Sequence, residues 1–158
     1  GKPVAIVRRC FIQQCCTFFG RGGITIGNDV FIGPKVNLIT INHEVNPDNR
    51  SATYGRPIVI EDKVWIGINS TILPGVKIGY GAIVGAGSVV TRDLPDGSVA
   101  AGNPARVLCA TASYLEKQKE QMKTRPVYGE EWTTRQNISA ERKQEMLRAL
   151  EDGIGFVE

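Results

Sequence analysis

No stretch of this 158-residue chain approaches the ~18–20 consecutive apolar residues that cross a bilayer, so no membrane-spanning helix is expected. The start, Gly1-Lys2-Pro3-Val4, has neither an apolar h-region nor a cleavage site, and no signal peptide is expected in this chain, which begins without Met. Charge of one sign is scarce: 19 Lys and Arg stand against 16 Asp and Glu, a net +3. A nucleic-acid partner, which wants a concentrated basic face, is therefore not expected. The four cysteines, Cys10, Cys15, Cys16 and Cys109, form no Cys-x-x-Cys pair and no evenly spaced framework. A reducing, cytoplasmic setting is the reading that follows. Histidine occurs once, as His43.

Glycine, by contrast, is plentiful, at 18 residues, about 11% against a usual ~7%. Residues 1–108 hold 11 basic and 7 acidic side chains, and residues 109–158 hold 8 and 9. The positive excess thus lies in the first part, where an anionic small molecule would bind.

The placement of residues there is periodic. From Ile60 an aliphatic residue recurs every six positions, as Ile60, Ile66, Ile72, Ile78, Val84 and Val90. A second series follows four residues behind, as Val64, Ser70, Val76, Ala82, Ser88 and Leu94. The same register runs upstream through Ile26, Ile32 and Leu38 with Val30 and Val36, and through Ile6, Ile12 and Phe18 with Cys10 and Cys16. A two-residue slip at Gly20-Arg21-Gly22-Gly23 separates these stretches. A period of six fits neither a helix nor an alternating strand. It fits a short strand and a turn, repeated, with both series pointing inward. Glycines such as Gly67, Gly79 and Gly85, just after the aliphatic residue, are expected to ease the turn. Three hexads close one triangular coil, stacked coils bury one aliphatic column, and about four coils fit between Val4 and Ala101.

The repeat breaks once at length. Leu38 and Ile60 are 22 residues apart, not a multiple of six, and the polar segment between them must loop out. We therefore expect a β-helix over 1–108 with an extruded loop at 42–58, and a helical tail over 109–158. In the tail, Ser113 reads as the cap of a helix near 114–123, and Ser139 as the cap of one near 140–151 with Met146, Leu147 and Leu150 on one face. Thr124 to Asn137 reads as irregular.

The hexads, Asn42-His43, Val64-Trp65-Ile66-Gly67, the run from Gly85-Ala86-Gly87 to Thr91-Arg92-Asp93, and Ala101-Gly102-Asn103-Pro104-Ala105-Arg106 resemble the hexapeptide-repeat acyltransferases. The nearest branch is the sugar O-acetyltransferases of the galactoside and maltose type. The resemblance covers residues ~12–108. It implies an all-β solenoid, a left-handed parallel β-helix with a short α-helical C-terminal appendage, working as a homotrimer. It implies acetyl transfer from acetyl-CoA to a hydroxyl of a sugar or saccharide. Amino sugars, nucleotide-sugars or antibiotics are alternative acceptors, and a non-catalytic β-helix assembly module is the alternative of another class. In two respects the chain departs from the branch: it lacks the usual N-terminal helical segment and earlier coils, and Cys15 stands where an Asn is common.

His43 opens the loop that breaks the repeat and matches the family's catalytic His. An imidazole titrating near neutrality suits proton removal from a hydroxyl, worth ~10²–10⁴ in rate. Glu44 is a candidate to orient the ring. A lone His cannot supply the three ligands of the zinc β-helix carbonic anhydrases, and no metal is expected. For the donor, the resemblance implies Trp65, Gly67, Ala86, Thr91, Arg92 and Arg106. An aromatic wall suits the pantetheine arm, bare backbone at Gly85-Ala86-Gly87 can bond its amides, and arginine suits phosphate. For the acceptor, the candidates are Cys15, Arg50, Thr53 and Tyr54, with Arg56 beside them. Cys15 is also weighed as an acyl-enzyme nucleophile, a route the direct mechanism does without.

Overall fold

The computed structural model describes residues 4–132 and 137–157 and winds the hexads around three parallel faces. The first face carries Val4–Ile6, Ile24–Ile26, Ile58–Ile60 and Lys77–Ile78; the second carries Phe11–Ile12, Phe31–Ile32, Trp65–Ile66, Ile83–Val84 and Ser98–Gly102. The third carries Thr17–Phe19, Asn37–Ile39, Thr71–Ile72 and Val89–Val90. The chain visits the faces in turn, so each circuit stacks on the one before. This is a left-handed parallel β-helix with short helices at its C-terminal side.

Both periodic series are buried. Ile26, Leu38, Ile66, Ile72 and Ile78 of the first series have no solvent exposure, and neither do Val30, Val36, Val64 and Ala82 of the second. Each fully buried Ile or Val contributes roughly 1.5–3 kcal/mol, which a single coil exposed on both sides could not collect. Polar members of the second series satisfy themselves on the main chain. Ser70 and Ser88 both donate to the carbonyl of Gly85, at 3.1 and 2.6 Å. Cys10 and Cys16 lie 3.0 and 3.2 Å from the carbonyls of Gly27 and Gly33, as inward residues of the first coil.

Two details of the repeat differ from the sequence reading. Gly67 has no left-handed φ; a Cβ there would lie 2.6 Å from the backbone nitrogen of Ala86 in the next coil. Glycine after the aliphatic residue is required for close stacking, not for the turn. The left-handed corner falls two residues later, at Cys15, Lys35, Asn69 and Gly87 in one column. Leu94 bridges Ile78, sixteen residues back, and so belongs to the first series; Ser98 follows it as the buried second-series residue.

Strand register measures the insertions. Ile60 pairs with Ile78, eighteen residues on, which is the plain coil. Ile6 pairs with Ile26, twenty residues on, and Ile26 with Ile60, thirty-four on. The two-residue slip and the long loop therefore enlarge successive circuits at the same corner, between the third face and the first.

Two compact units divide between Ala112 and Ser113. In the first, Ala105–Ala110 pairs antiparallel with Ser98–Gly102 and finishes the second face. Helix α1, Thr111–Met122, begins earlier than expected. Thr111 anchors its start, donating its N–H to Gly97 at 2.7 Å and its hydroxyl to Gly81 at 3.1 Å. In the second unit, α2 spans Ala140–Ala149 with Ser139 as its cap, as expected. The segment read as irregular contains Val127–Tyr128, which pairs in parallel with Phe156–Val157, and a short 3-10 turn at Glu130–Trp132. Tyr128 is buried there against the Trp132 ring, 5.1 Å away. Arg125 holds the pairing in place by donating to the carbonyls of Ile154 and Ala149, at 2.7 and 3.4 Å. Met146 and Leu150 are partly buried, whereas Leu147 is exposed. No described helix is long and apolar enough to cross a membrane.

Candidate functional site

The long insertion is a β-hairpin. Ile41–His43 and Thr53–Gly55 pair antiparallel, with His43 opposite Thr53, Asn42 opposite Tyr54 and Ile41 opposite Gly55. Its tip is a 3-10 turn at Pro47–Asn49, capped by the Asn46 side chain, which accepts from Asp48. Its root is tied to the solenoid by Thr40, which is fully buried. The Thr40 carbonyl accepts from the Arg56 N–H at 2.9 Å. Its hydroxyl donates to Phe19 at 2.6 Å and accepts from the Gly22 N–H at 2.8 Å.

His43 is exposed, and its Nδ1 lies 2.8 Å from the main-chain carbonyl of Arg50. A carbonyl can only accept, so Nδ1 carries the proton, and in the neutral ring Nε2 is left with a free lone pair. Glu44 does not orient the ring: its carboxylate accepts from the N–H of Val45 at 2.8 Å. The Arg50 guanidinium donates to the Val45 carbonyl at 3.3 Å, closing the loop that carries the carbonyl. Arg50 thus meets His43 through its backbone, and the loop through its side chain.

Side chains alternate along paired strands, so the hairpin has two sides. Ile41, His43, Thr53 and Gly55 belong to one, and Asn42 and Tyr54 to the other. A cleft of about 350 Å³ lies against the first side, lined by Arg21, Gly22, Ile41, Thr53, Tyr54 and Gly55. A second of about 350 Å³ lies against the other, lined by Asn42, Tyr54, Arg56, Leu73, Pro74 and Thr91. The hairpin therefore sets Thr53 opposite His43 and brings Tyr54 to both clefts, with Arg56 and Thr91 beside the second; His43 itself lines neither.

The remaining candidates stand elsewhere on the same chain. Cys15, exposed, and Gly67 and Ala86 lie at the corner between the second and third faces. The third face, with Thr17, Asn37, Thr71 and Val89 in register, separates them from the hairpin. Trp65 is half-exposed on the outside of the second face, in register with Phe31 and Ile83. Phe31 in turn meets Phe11, their ring centroids 5.9 Å apart. Arg92 is exposed just beyond Thr91. Arg106 is exposed on the antiparallel strand and donates to the Ala105 carbonyl at 3.0 Å.

Two participants in this architecture escaped the sequence reading. Thr40 looked like an ordinary polar residue before the loop, and nothing in the sequence marked it as the buried tie. Arg21 was visible as the charged residue of the two-residue slip, but the slip read only as an interruption.

Residues 57–92 match the family model for the bacterial transferase hexapeptide, six repeats. The galactoside O-acetyltransferase of Lactococcus lactis is 46% identical over 109 residues, 68% of this chain and 53% of that protein. The chain spans about half the length of the curated relatives it matches. The crystal structure of a maltose O-acetyltransferase from Clostridium difficile is 37% identical, with a TM-score of 0.62 over 68% of this chain and 65% of that one. A hexapeptide-repeat acetyltransferase from Vibrio cholerae, solved with acetyl coenzyme A, is 33% identical with a TM-score of 0.55; the match covers 65% of this chain and 70% of that one.

Proposed function

The chain belongs to the hexapeptide-repeat acetyltransferases, and we propose that it moves an acetyl group from acetyl-CoA to a hydroxyl of a sugar or saccharide. The observation that carries this reading is the 2.8 Å contact between His43 Nδ1 and the Arg50 carbonyl. It leaves Nε2 as the basic atom, on the residue directly across the hairpin from Thr53 of the first cleft. In the direct route, Nε2 takes the proton of the acceptor hydroxyl as its oxygen attacks the thioester carbonyl. The tetrahedral intermediate collapses to the acetyl ester, and coenzyme A leaves as thiol with the proton returned from the imidazolium. Thr53 and Tyr54 flank the acceptor. Arg50 acts by holding the loop, and no residue other than His43 need change protonation state.

Donor binding is assigned to Trp65, Gly67, Ala86, Thr91, Arg92 and Arg106, and Cys15 is placed beside them as a residue of the acceptor end. On one chain these residues occupy different corners and faces, with the third face between the hairpin and the Cys15–Gly67–Ala86 corner. We propose a homotrimer, as the resemblance implies, in which the hairpin of one copy meets that corner of the next and the sites lie between subunits. The four unpaired cysteines support a cytoplasmic setting.

The test is coenzyme A release from acetyl-CoA across mono-, oligo- and nucleotide-sugars. Acceptor-dependent release on at least one member is the expected result. Tight acetyl-CoA binding with no acceptor-dependent release on any of them would contradict the reading.

A further inference from the structure

The two enlargements of the repeat face each other. The slip at Gly20–Gly23 and the hairpin sit at one corner in successive circuits, and the cleft of about 350 Å³ lies between them. Thr40 fastens the two together, accepting from Gly22 on one side and bonding Arg56 on the other. The Gly23 N–H closes the turn onto the Gly20 carbonyl at 2.8 Å. The backbone that bears Arg21 is thus fixed relative to the backbone that bears His43.

Arg21 is the one charged residue lining this cleft. It makes no hydrogen bond or ion pair with any other described residue. Arg9 chelates Asp29, and Lys77 bonds Glu61 at 2.7 Å, whereas Arg21, like Arg8, Arg56, Arg92 and Arg106, has no carboxylate partner among the described residues. Here the other lining groups are the Thr53 hydroxyl, the Tyr54 phenol, Ile41 and two glycines. No carboxylate is among them.

We propose that this cleft takes an acceptor saccharide bearing an anionic group, a carboxylate or a phosphate, and that Arg21 recognises that group. The inference rests on the reading of His43 as the base, because the cleft is lined by Thr53, the residue paired with His43 across the hairpin. The chemistry is direct. A guanidinium presents paired N–H donors that match two oxygens of a carboxylate or phosphate, and such charge-assisted bonds outweigh those to neutral hydroxyls. A neutral sugar leaves the guanidinium in water and gains nothing from it. An anionic sugar gains a contact worth about ten- to hundredfold in kcat/KM. Thr53 and Tyr54 supply the neutral donors and acceptors that would seat the ring between Arg21 and the base.

The experiment compares galactose with galacturonate and galactose 6-phosphate, in the wild-type protein and in Arg21→Gln and Arg21→Lys. Binding of each sugar is followed by calorimetry in the presence of coenzyme A, and turnover by thiol release. Wild type is expected to favour at least one anionic sugar over galactose by about tenfold or more, with the preference shrinking as salt is raised. Arg21→Gln should erase most of that preference through the acceptor KM and Kd, and Arg21→Lys should restore part of it. The two anionic arms tell carboxylate from phosphate. No preference in wild type, an unchanged preference in Arg21→Gln, or a rise in the acetyl-CoA KM in place of the acceptor KM would overturn the proposal. Failure of the base reading shows separately, as turnover that survives His43→Ala on every acceptor.

Discussion

The Nδ1 of His43 lies 2.8 Å from the main-chain carbonyl of Arg50, seven residues further along the hairpin. The acceptor is a backbone atom, so a substitution at position 50 removes the guanidinium's hold on the loop but leaves the carbonyl itself in the chain. It also fixes which ring nitrogen is free. His43 is the sole histidine of the chain, so its two ring nitrogens give one unambiguous pattern in nitrogen-15 NMR. At a pH where the ring is neutral, the proton is expected on Nδ1. A neutral ring protonated on Nε2 would contradict the geometry from which the mechanism is derived.

The stacking of coils at Gly67 makes a second prediction. A methyl group there would come within 2.6 and 2.9 Å of the Ala86 backbone, which cannot yield without parting two coils. Gly67→Ala should cost about 1–3 kcal/mol or more in urea unfolding. Gly87, in the next coil, has a φ of +68° and open space where its Cβ would go. Asn69 already holds the equivalent corner with a φ of +59°, so Gly87→Asn should cost under about 1 kcal/mol. Equal losses in the two variants would remove close stacking as the reason for the glycine.

These two glycines also show what the letters could and could not reveal. The inward series was legible because burial of an aliphatic residue every sixth position leaves a composition signal that no other fold requires. The hairpin was legible as a violation of that count, and His43 as the imidazole at its edge. The role of Gly67 was not, because a glycine looks alike whether it supplies a left-handed φ or clears space for a neighbouring coil. Leu94 was misassigned because the last circuit is two residues short, which shows only once it is paired with Ile78. Pairing of Val127–Tyr128 with Phe156–Val157 joins segments far apart in sequence through very short strands. Two-residue strands carry too little alternation to be read. The meeting of Arg21 with the hairpin is of the same kind, a product of register between circuits.

Arg92 and Arg106 are exposed and free of carboxylate partners among the described residues. If they meet the phosphates of coenzyme A, Arg92→Ala and Arg106→Ala should each raise the KM for acetyl-CoA, with a smaller fall in kcat. The ionic-strength dependence of that KM should weaken in step. A donor KM that stays at the wild-type value in both variants would return these residues to the solvated surface.

Cys15 is exposed at a φ of +60°, a conformation that Asn adopts more readily than Cys. Cys15→Asn should therefore keep or raise stability, and Cys15→Ser should keep most of the activity. Rapid quenching with labelled acetyl-CoA should trap no acetyl-thioester on this residue. An acetylated Cys15 that forms and decays at the rate of turnover would replace the direct mechanism with a covalent one.

The role of His43 as the base is tested by the rate of coenzyme A release by His43→Ala with a productive acceptor. The substitution removes an exposed ring whose hydrogen bond is to a loop carbonyl, so the fold and acetyl-CoA binding should persist. With His43 as the base, kcat should fall by ~10²–10⁴ and the pH profile of kcat/KM should lose its acidic limb. A variant that folds, binds acetyl-CoA and keeps more than about a third of the wild-type rate, far above the loss expected for a missing general base, would contradict it.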